Sequence, residues 1–233
     1  MKSTLLLERI SKIYKRISHA AMRAGRDPED VRLIAVTKTV SAGQIREAID
    51  AGLRIFGENR VQEAQKKVTS DELRLENEEI SWHLIGHLQK NKAKFAVQLF
   101  DLIHSVDSED LACEIDRHAQ KTGKRQDVLV EVKLSHEGTK HGVSRGGLPG
   151  LLRVVEDLKH LNLRGLMTVP PFFDDPKEAR PYFRELRELR DRAAAEGFDL
   201  PELSMGMSGD FEIAIEEGAT MVRIGTAIFG ERE

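Results

Sequence analysis

A lysine acts as a nucleophile only after losing its proton, which requires a desolvated setting or nearby positive charge. Lys38 stands where a fold could supply both. Ile34, Val36 and Lys38 share one face of an extended segment by period-two alternation, and Lys38 closes that segment. At the mouth of a barrel its neutral amine could form an imine. A solvated lysine at a strand end is the more ordinary account of the same residue. Lys133 is a rival by position, since it closes a later strand with Glu131 on its own face.

Two further segments could bind an anion. In Ser204-Met205-Gly206-Met207-Ser208-Gly209-Asp210, two glycines and two serines lead into a helix. Such a turn can aim successive backbone N–H groups at one point, with the positive end of the helix behind them. A plain flexible turn capped by Asp210 is the alternative. In Thr220-Met221-Val222-Arg223-Ile224-Gly225-Thr226, alternation puts Met221, Arg223 and Gly225 on one face. If that face is interior, the guanidinium needs a partner, because an unpaired buried charge is prohibitively costly. A ligand could be that partner, and so could an internal carboxylate such as Glu131. Gly225 and Thr226 would add backbone donors beside the Gly/Ser turn.

The remaining polar segments carry less. His83 lies within a strand and His87 just past it, and a satisfied core imidazole is the ordinary account of a strand histidine. Lys90, Lys92 and Lys94 read as the solvated face of a helix. Metal binding is not expected, because the eight histidines include no His-x-x-x-His pair on a helix with a nearby acid and there is a single cysteine, Cys113. The polar stretch 135–142 reads as a mobile surface loop from which Lys140 could reach a barrel mouth.

These residues must be positioned by alternating elements. Leu6, Ile10, Ile13, Ile17 and Ala20 recur at helical spacing, so an amphipathic helix is expected over 4–24. Eight short aliphatic or β-branched runs then read as strands: 31–37, 53–56, 81–85, 102–106, 128–132, 163–167, 202–204 and 221–224. Nearly all are followed by helical segments. Ser41 with Gln44 forms a capping box, Gly52 closes that helix, and Asp107 and Ser108 can cap another. Pro176 is expected to open a long helix carrying Phe183, Leu186, Leu189 and Ala193, and Asp210 to cap one through Ile213 and Ile215. Strand–helix alternation with short connections implies a parallel sheet, and eight units favour a single (β/α)8 barrel of the TIM type over residues 1–233, with an extra N-terminal helix.

Composition narrows the function classes. The 36 basic and 39 acidic residues are interspersed, with a formal net charge of −3, which gives no basic stripe for nucleic acid and no polybasic membrane patch. Leu5, Leu6 and Leu7 are followed at once by Glu8 and Arg9, so no signal-peptide core forms, and no apolar run approaches the ~20 residues needed to span a bilayer. One cysteine fits a reducing cytoplasm. The charged helix faces suggest a monomer.

Taken together, the motifs resemble the pyridoxal phosphate homeostasis protein family, whose members are similar to the N-terminal domain of alanine racemase. The matching stretches are Ala35-Val36-Thr37-Lys38, Phe56-Gly57-Glu58-Asn59-Arg60-Val61-Gln62-Glu63 and Trp82-His83-Leu84-Ile85-Gly86-His87-Leu88-Gln89-Lys90-Asn91-Lys92. Further on come Gly165-Leu166-Met167, Met205-Gly206-Met207-Ser208-Gly209-Asp210 and Val222-Arg223-Ile224-Gly225-Thr226-Ala227-Ile228-Phe229-Gly230. The resemblance implies a (β/α)8 barrel with pyridoxal 5′-phosphate as a Schiff base on Lys38, which breaks the tie with Lys133. It implies Ser208, Gly209, Gly225 and Thr226 around the phosphate, Arg223 near the pyridine nitrogen and Asn59 near the ring. It links Lys140 to cofactor handling. It also implies a carrier or regulator of vitamin B6 pools and amino-acid balance, with apo-enzymes as transient acceptors.

Residue chemistry separates this reading from two others. Pyridoxal phosphate withdraws electrons best when its ring nitrogen is protonated, typically beside a carboxylate. An arginine there donates a hydrogen bond and supplies no proton, so catalysis is disfavoured. A racemase-like enzyme would also need an acid/base tyrosine, and Tyr14 and Tyr182 both fall on expected helices. A lysine-imine aldolase acting on sugar phosphates, without cofactor, is the third possibility.

Overall fold

The computed structural model describes residues 2–70, 73, 80–135 and 141–230; Lys140 lies outside the described residues. The order is α1 (Lys2–Arg23), β1 (Arg32–Val36), α2 (Ala42–Asp50), β2 (Ile55–Glu58), α3 (Val61–Val68), β3 (Ser81–Leu84), α4 (Ala93–Leu99) and β4 (Leu102–Val106). It continues with α5 (Glu109–Thr122), β5 (Gln126–Glu131), α6 (Leu148–Asp157), β6 (Leu161–Met167), α7 (Arg180–Ala195), β7 (Glu202–Met207), α8 (Phe211–Glu216), β8 (Met221–Ile224) and α9 (Thr226–Phe229). The strands close into a parallel barrel in sequence order, with β1 paired to both β2 and β8. This is the expected (β/α)8 fold. No helix among the described residues is long and apolar enough to cross a membrane.

Parallel strands covered by helices are buried on both faces, which is why they read as aliphatic runs. Ile34, Leu102, Leu129, Met167 and Met221 form the apolar plug inside the barrel, while Leu33, Ala35, Val222 and Ile224 join the larger core beneath the helices. The alternation expected for β8 therefore holds, with Met221 inside and its neighbour Val222 outside. Strand β7 runs to Met207, three residues past its expected end, because a register shift between Ser204 and Met207 lets a glycine-bearing segment keep pairing with β8.

Local chemistry explains the helix ends. Ser41 and Gln44 make the expected reciprocal capping box. Pro176 opens a short 3-10 turn, Pro176–Ala179, rather than the long helix itself. Helix α7 begins at Arg180, with Pro181 in its first turn, where a missing N–H costs nothing. Asp210 occupies the cap position of α8 but does not cap it. Its Oδ1 instead accepts from the Met207 N–H at 2.6 Å, closing the turn before the helix. Ser108 likewise stands at the start of α5 without a capping bond.

The first helix packs on the last βα unit. Leu6, Ile10, Ile13, Ile17 and Ala20 are all buried, as their spacing requires. Arg16 pairs with Glu212 at 2.9 Å and lies 4.5 Å over the Phe211 ring, and Arg26 donates to the carbonyls of Ile215 and Ala219. This braces α8 behind the β7–β8 turns.

Candidate cofactor site

Lys38 is not in a strand. Pairing of β1 ends at Val36, and residues 37–40 form a turn closed by the Val40 N–H to the Thr37 carbonyl at 2.9 Å. Lys38 and Thr39 are its two central residues. Thr39 has φ 65°, the one positive value at a non-glycine among the described residues. Such a turn needs φ > 0 at its third position, and a β-branched residue held there costs roughly 1–3 kcal/mol. The turn, rather than strand alternation, therefore presents the half-buried Lys38.

A buried ionic cluster holds that turn from behind. Lys67 of α3 donates through Nζ to the Thr37 carbonyl (2.6 Å), Glu58 Oε1 (2.7 Å) and Glu63 Oε1 (2.7 Å). Glu63 also accepts from the N–H of the strained Thr39. Thr37 Oγ1 donates to Glu58 Oε1 at 2.6 Å. Burial raises the Glu58 pKa against the pull of Lys67 and Thr37. Burial also works to raise Glu63, but bonds from Lys67 and the Thr39 N–H outweigh it and lower its pKa.

Strand β8 delivers the second half of the site. Arg223 is fully enclosed in the barrel, donating through Nη1 to Ser204 Oγ at 2.6 Å and through Nη2 to the Thr168 carbonyl at 2.9 Å. Desolvation lowers its pKa to about 10, against the attraction of Glu131 and Asp210, so it stays cationic at neutral pH. Those carboxylates act on it through their field, while both of its bonds named here go to neutral acceptors. Beyond it, the Gly225 N–H faces Ser208 Oγ at 3.4 Å, and Thr226 Oγ1 lies 3.5 Å from the same oxygen. The turns after β7 and β8 thus meet, as the sequence suggested. A Cβ on Gly225 would lie 3.3 Å from both the Cβ and the carbonyl oxygen of Val36, two residues before Lys38. The lysine turn and the turns bearing Ser208 and Thr226 therefore adjoin. Lys133 is also half-buried, but it follows β5, which pairs with β4 and β6 across the barrel from β1.

Asn59 leaves β2 beside Glu58. Its Oδ1 is buried without a hydrogen-bond partner, an arrangement native proteins rarely keep unless a ligand or water completes it. Gly86 allows this approach, since a Cβ there would fall 2.4 Å from the Asn59 carbonyl oxygen.

Under the mouth runs a neutral polar chain. His83 Nδ1 lies 3.0 Å from His104 Nε2, and His104 Nδ1 lies 2.9 Å from Ser204 Oγ, linking both imidazoles to Arg223. Burial, then the charge of Arg32, lowers the His83 pKa to about 3, and burial, His83 and Arg223 hold His104 well below 6.5. Glu131 is pushed up to about 7 by burial and Asp107, against the pull of Arg223. His104 was not foreseen, although a histidine inside the aliphatic run of β4 was the available signal. Both imidazoles bind fewer protons folded than unfolded, so their contribution is intact above pH 6.5 and is lost as pH falls toward 3. Each adds up to ~1.4 kcal/mol of stability loss per pH unit in that window. Urea midpoints measured from pH 7 to 4 are expected to fall more gently in His104→Asn, which cannot charge, than in wild type; equal slopes would remove His104 as a cause.

Residues 9–233 match the alanine racemase N-terminal domain family. The chain is 48% identical over 227 residues to the pyridoxal phosphate homeostasis protein of Aquifex aeolicus strain VF5, covering 97% of this chain and 98% of that one. The chain belongs to the pyridoxal phosphate homeostasis protein family. The Escherichia coli K12 member is 40% identical over 231 residues, covering 96% of this chain and 95% of its own. PipY of Synechococcus elongatus PCC7942, solved with pyridoxal phosphate bound, superposes with TM-score 0.81 at 40% identity over 97% of this chain and all of PipY.

Proposed function

We propose that this chain holds pyridoxal 5′-phosphate and acts as a carrier or regulator of the cofactor pool, with apo-enzymes as acceptors in the cytoplasm. The observation that carries the reading is the close approach of Gly225 to Val36, where an added Cβ would lie 3.3 Å away, which sets the Lys38 turn beside the Ser208 and Thr226 turns. The residues fit the group. Lys38 supplies the amine for covalent attachment. Ser208, Gly209, Gly225 and Thr226 offer hydroxyl and backbone donors to the phosphate. Arg223, buried in the barrel, would hold the ring-nitrogen end of the group, and the unpartnered Asn59 Oδ1 would gain a neighbour at the ring. When bound, the cofactor supplies an aldehyde carbon and an electron-withdrawing ring.

The same residues argue for holding rather than turnover. Arg223 is a permanent donor that keeps no transferable proton at the ring nitrogen. Tyr14 is exposed on α1, and Tyr182 lies on α7 against Phe173, so neither provides the acid/base of a racemase-like reaction. Glu131, with its pKa near neutrality, favours a second reading in which slow proton transfer on an amino acid occurs. One experiment separates the two. The chain is incubated with pyridoxal phosphate, desalted, mixed with a cofactor-free transaminase, and in parallel given L-alanine in D2O. Restored transaminase activity without deuterium at the α-carbon is the expected result. Sustained α-deuteration would establish the enzyme reading, and loss of the cofactor on desalting would defeat both.

A further inference from the structure

His87, Asp107 and His141 follow β3, β4 and β5, and their ligand atoms lie within 4.8 Å of one another. The His87 and His141 rings are stacked, 3.6 Å between centroids and 9° from parallel, so one ring has to turn out of the stack before both nitrogens reach a single ion. His87 Nδ1 is 3.5 Å from Asp107 Oδ2, longer than a normal N–H···O bond. Two donors bound to one tetrahedral zinc at about 2.0–2.1 Å stand roughly 3.3 Å apart. The pair already has nearly that separation.

Each ligand is anchored by its own loop. Ser105 Oγ donates to the Gly86 carbonyl at 2.7 Å, fixing the residue before His87. Ser108 Oγ donates to Asp107 Oδ1 at 3.1 Å, leaving Oδ2 toward the histidine. The Val143 N–H donates to the Glu131 carbonyl at 2.8 Å, tying the chain after His141 to the end of β5. Such outer contacts orient metal ligands. We propose that His87, Asp107 and His141 form a divalent metal site of the zinc class, with two imidazole nitrogens, one carboxylate oxygen and a fourth position open to water.

The chemistry of the set favours this class. Two neutral imidazoles and one carboxylate suit zinc and its neighbours rather than calcium or magnesium, which take oxygen ligands. The spacing along the chain hides the trio, because its members come from three separate βα turns.

The site is independent of the cofactor reading and is tested with Zn2+ alone, by calorimetric titration of the full chain without added pyridoxal phosphate. One saturable site per chain is expected. His87→Ala and His141→Ala should each weaken it by at least the ~10–100-fold that losing even an outer-shell partner costs. His118→Ala, which removes the imidazole beside Glu114 on α5, should leave it unchanged. Circular dichroism of these variants should match wild type. Absence of saturable binding, equal affinity in wild type and both trio variants, or loss only in His118→Ala would overturn the proposal.

Discussion

Lys38→Ala is expected to lose all covalent attachment of pyridoxal phosphate, while Lys133→Ala keeps it. The chain would be incubated with the cofactor, reduced with borohydride and weighed by mass spectrometry. Wild type and Lys133→Ala should each carry one added cofactor mass on a peptide containing Lys38; Lys38→Ala should carry none. The donors around Ser208, Gly209, Gly225 and Thr226 remain in the variant, so weaker, non-covalent binding should persist, reduced by ~10-fold or more, or ~1.4 kcal/mol. The expectation rests on ring order in the barrel. Strand β1 pairs with β8, which brings Val36 next to Gly225, whereas β5 stands opposite. A full-stoichiometry adduct on Lys38→Ala would move the attachment elsewhere, and Lys133 would become the leading residue.

What could be read beforehand follows from how each feature is encoded. The eight strands were visible because burial on both faces demands aliphatic runs; alternation put Met221 and Arg223 on one face, but that this face points into the barrel is decided by the fold. Strand ends were less legible, since hydrogen-bond register decides them: β7 gains three residues through its bulge, and the strand expected to reach Lys38 stops at Val36. Asp210 looked like a helix cap because local sequence cannot show that a neighbouring N–H, that of Met207, competes for its carboxylate. The support of the lysine turn was hidden altogether. Local sequence does not separate Lys66 from Lys67, yet Lys67 is buried through contact with Thr37, thirty residues earlier in the chain. Glu58, Asn59 and Glu63 stood inside a recognised motif, but only the fold shows that the two acids grip the turn while Asn59 keeps an unpartnered oxygen.

That hidden cluster carries the other large effect. Lys67→Met should destabilise the chain by about 3–5 kcal/mol, because it leaves the fully buried Glu58 carboxylate without its cation. The loss should depend on pH in a defined direction. Burial already raises the Glu58 pKa, and without Lys67 its folded-state value rises further. A carboxyl whose folded pKa exceeds its unfolded value binds its proton more tightly when folded. The variant should therefore be least affected below pH 4.5 and progressively worse as pH climbs through the raised value. Adding Glu58→Gln removes the stranded charge while keeping an acceptor for Thr37 Oγ1, so the double variant should recover much of the stability at pH 7. Urea denaturation of wild type, single and double variants at pH 5 and pH 7 reads all three. A single variant within ~0.5 kcal/mol of wild type at pH 7 would mean the cluster does not brace the fold. Borohydride labelling of the double variant adds a measure of position. If Lys67 fixes the strained Thr39 turn, labelling at Lys38 should slow even where stability has returned. Unchanged labelling would show that the turn keeps its shape without the ammonium on the Thr37 carbonyl.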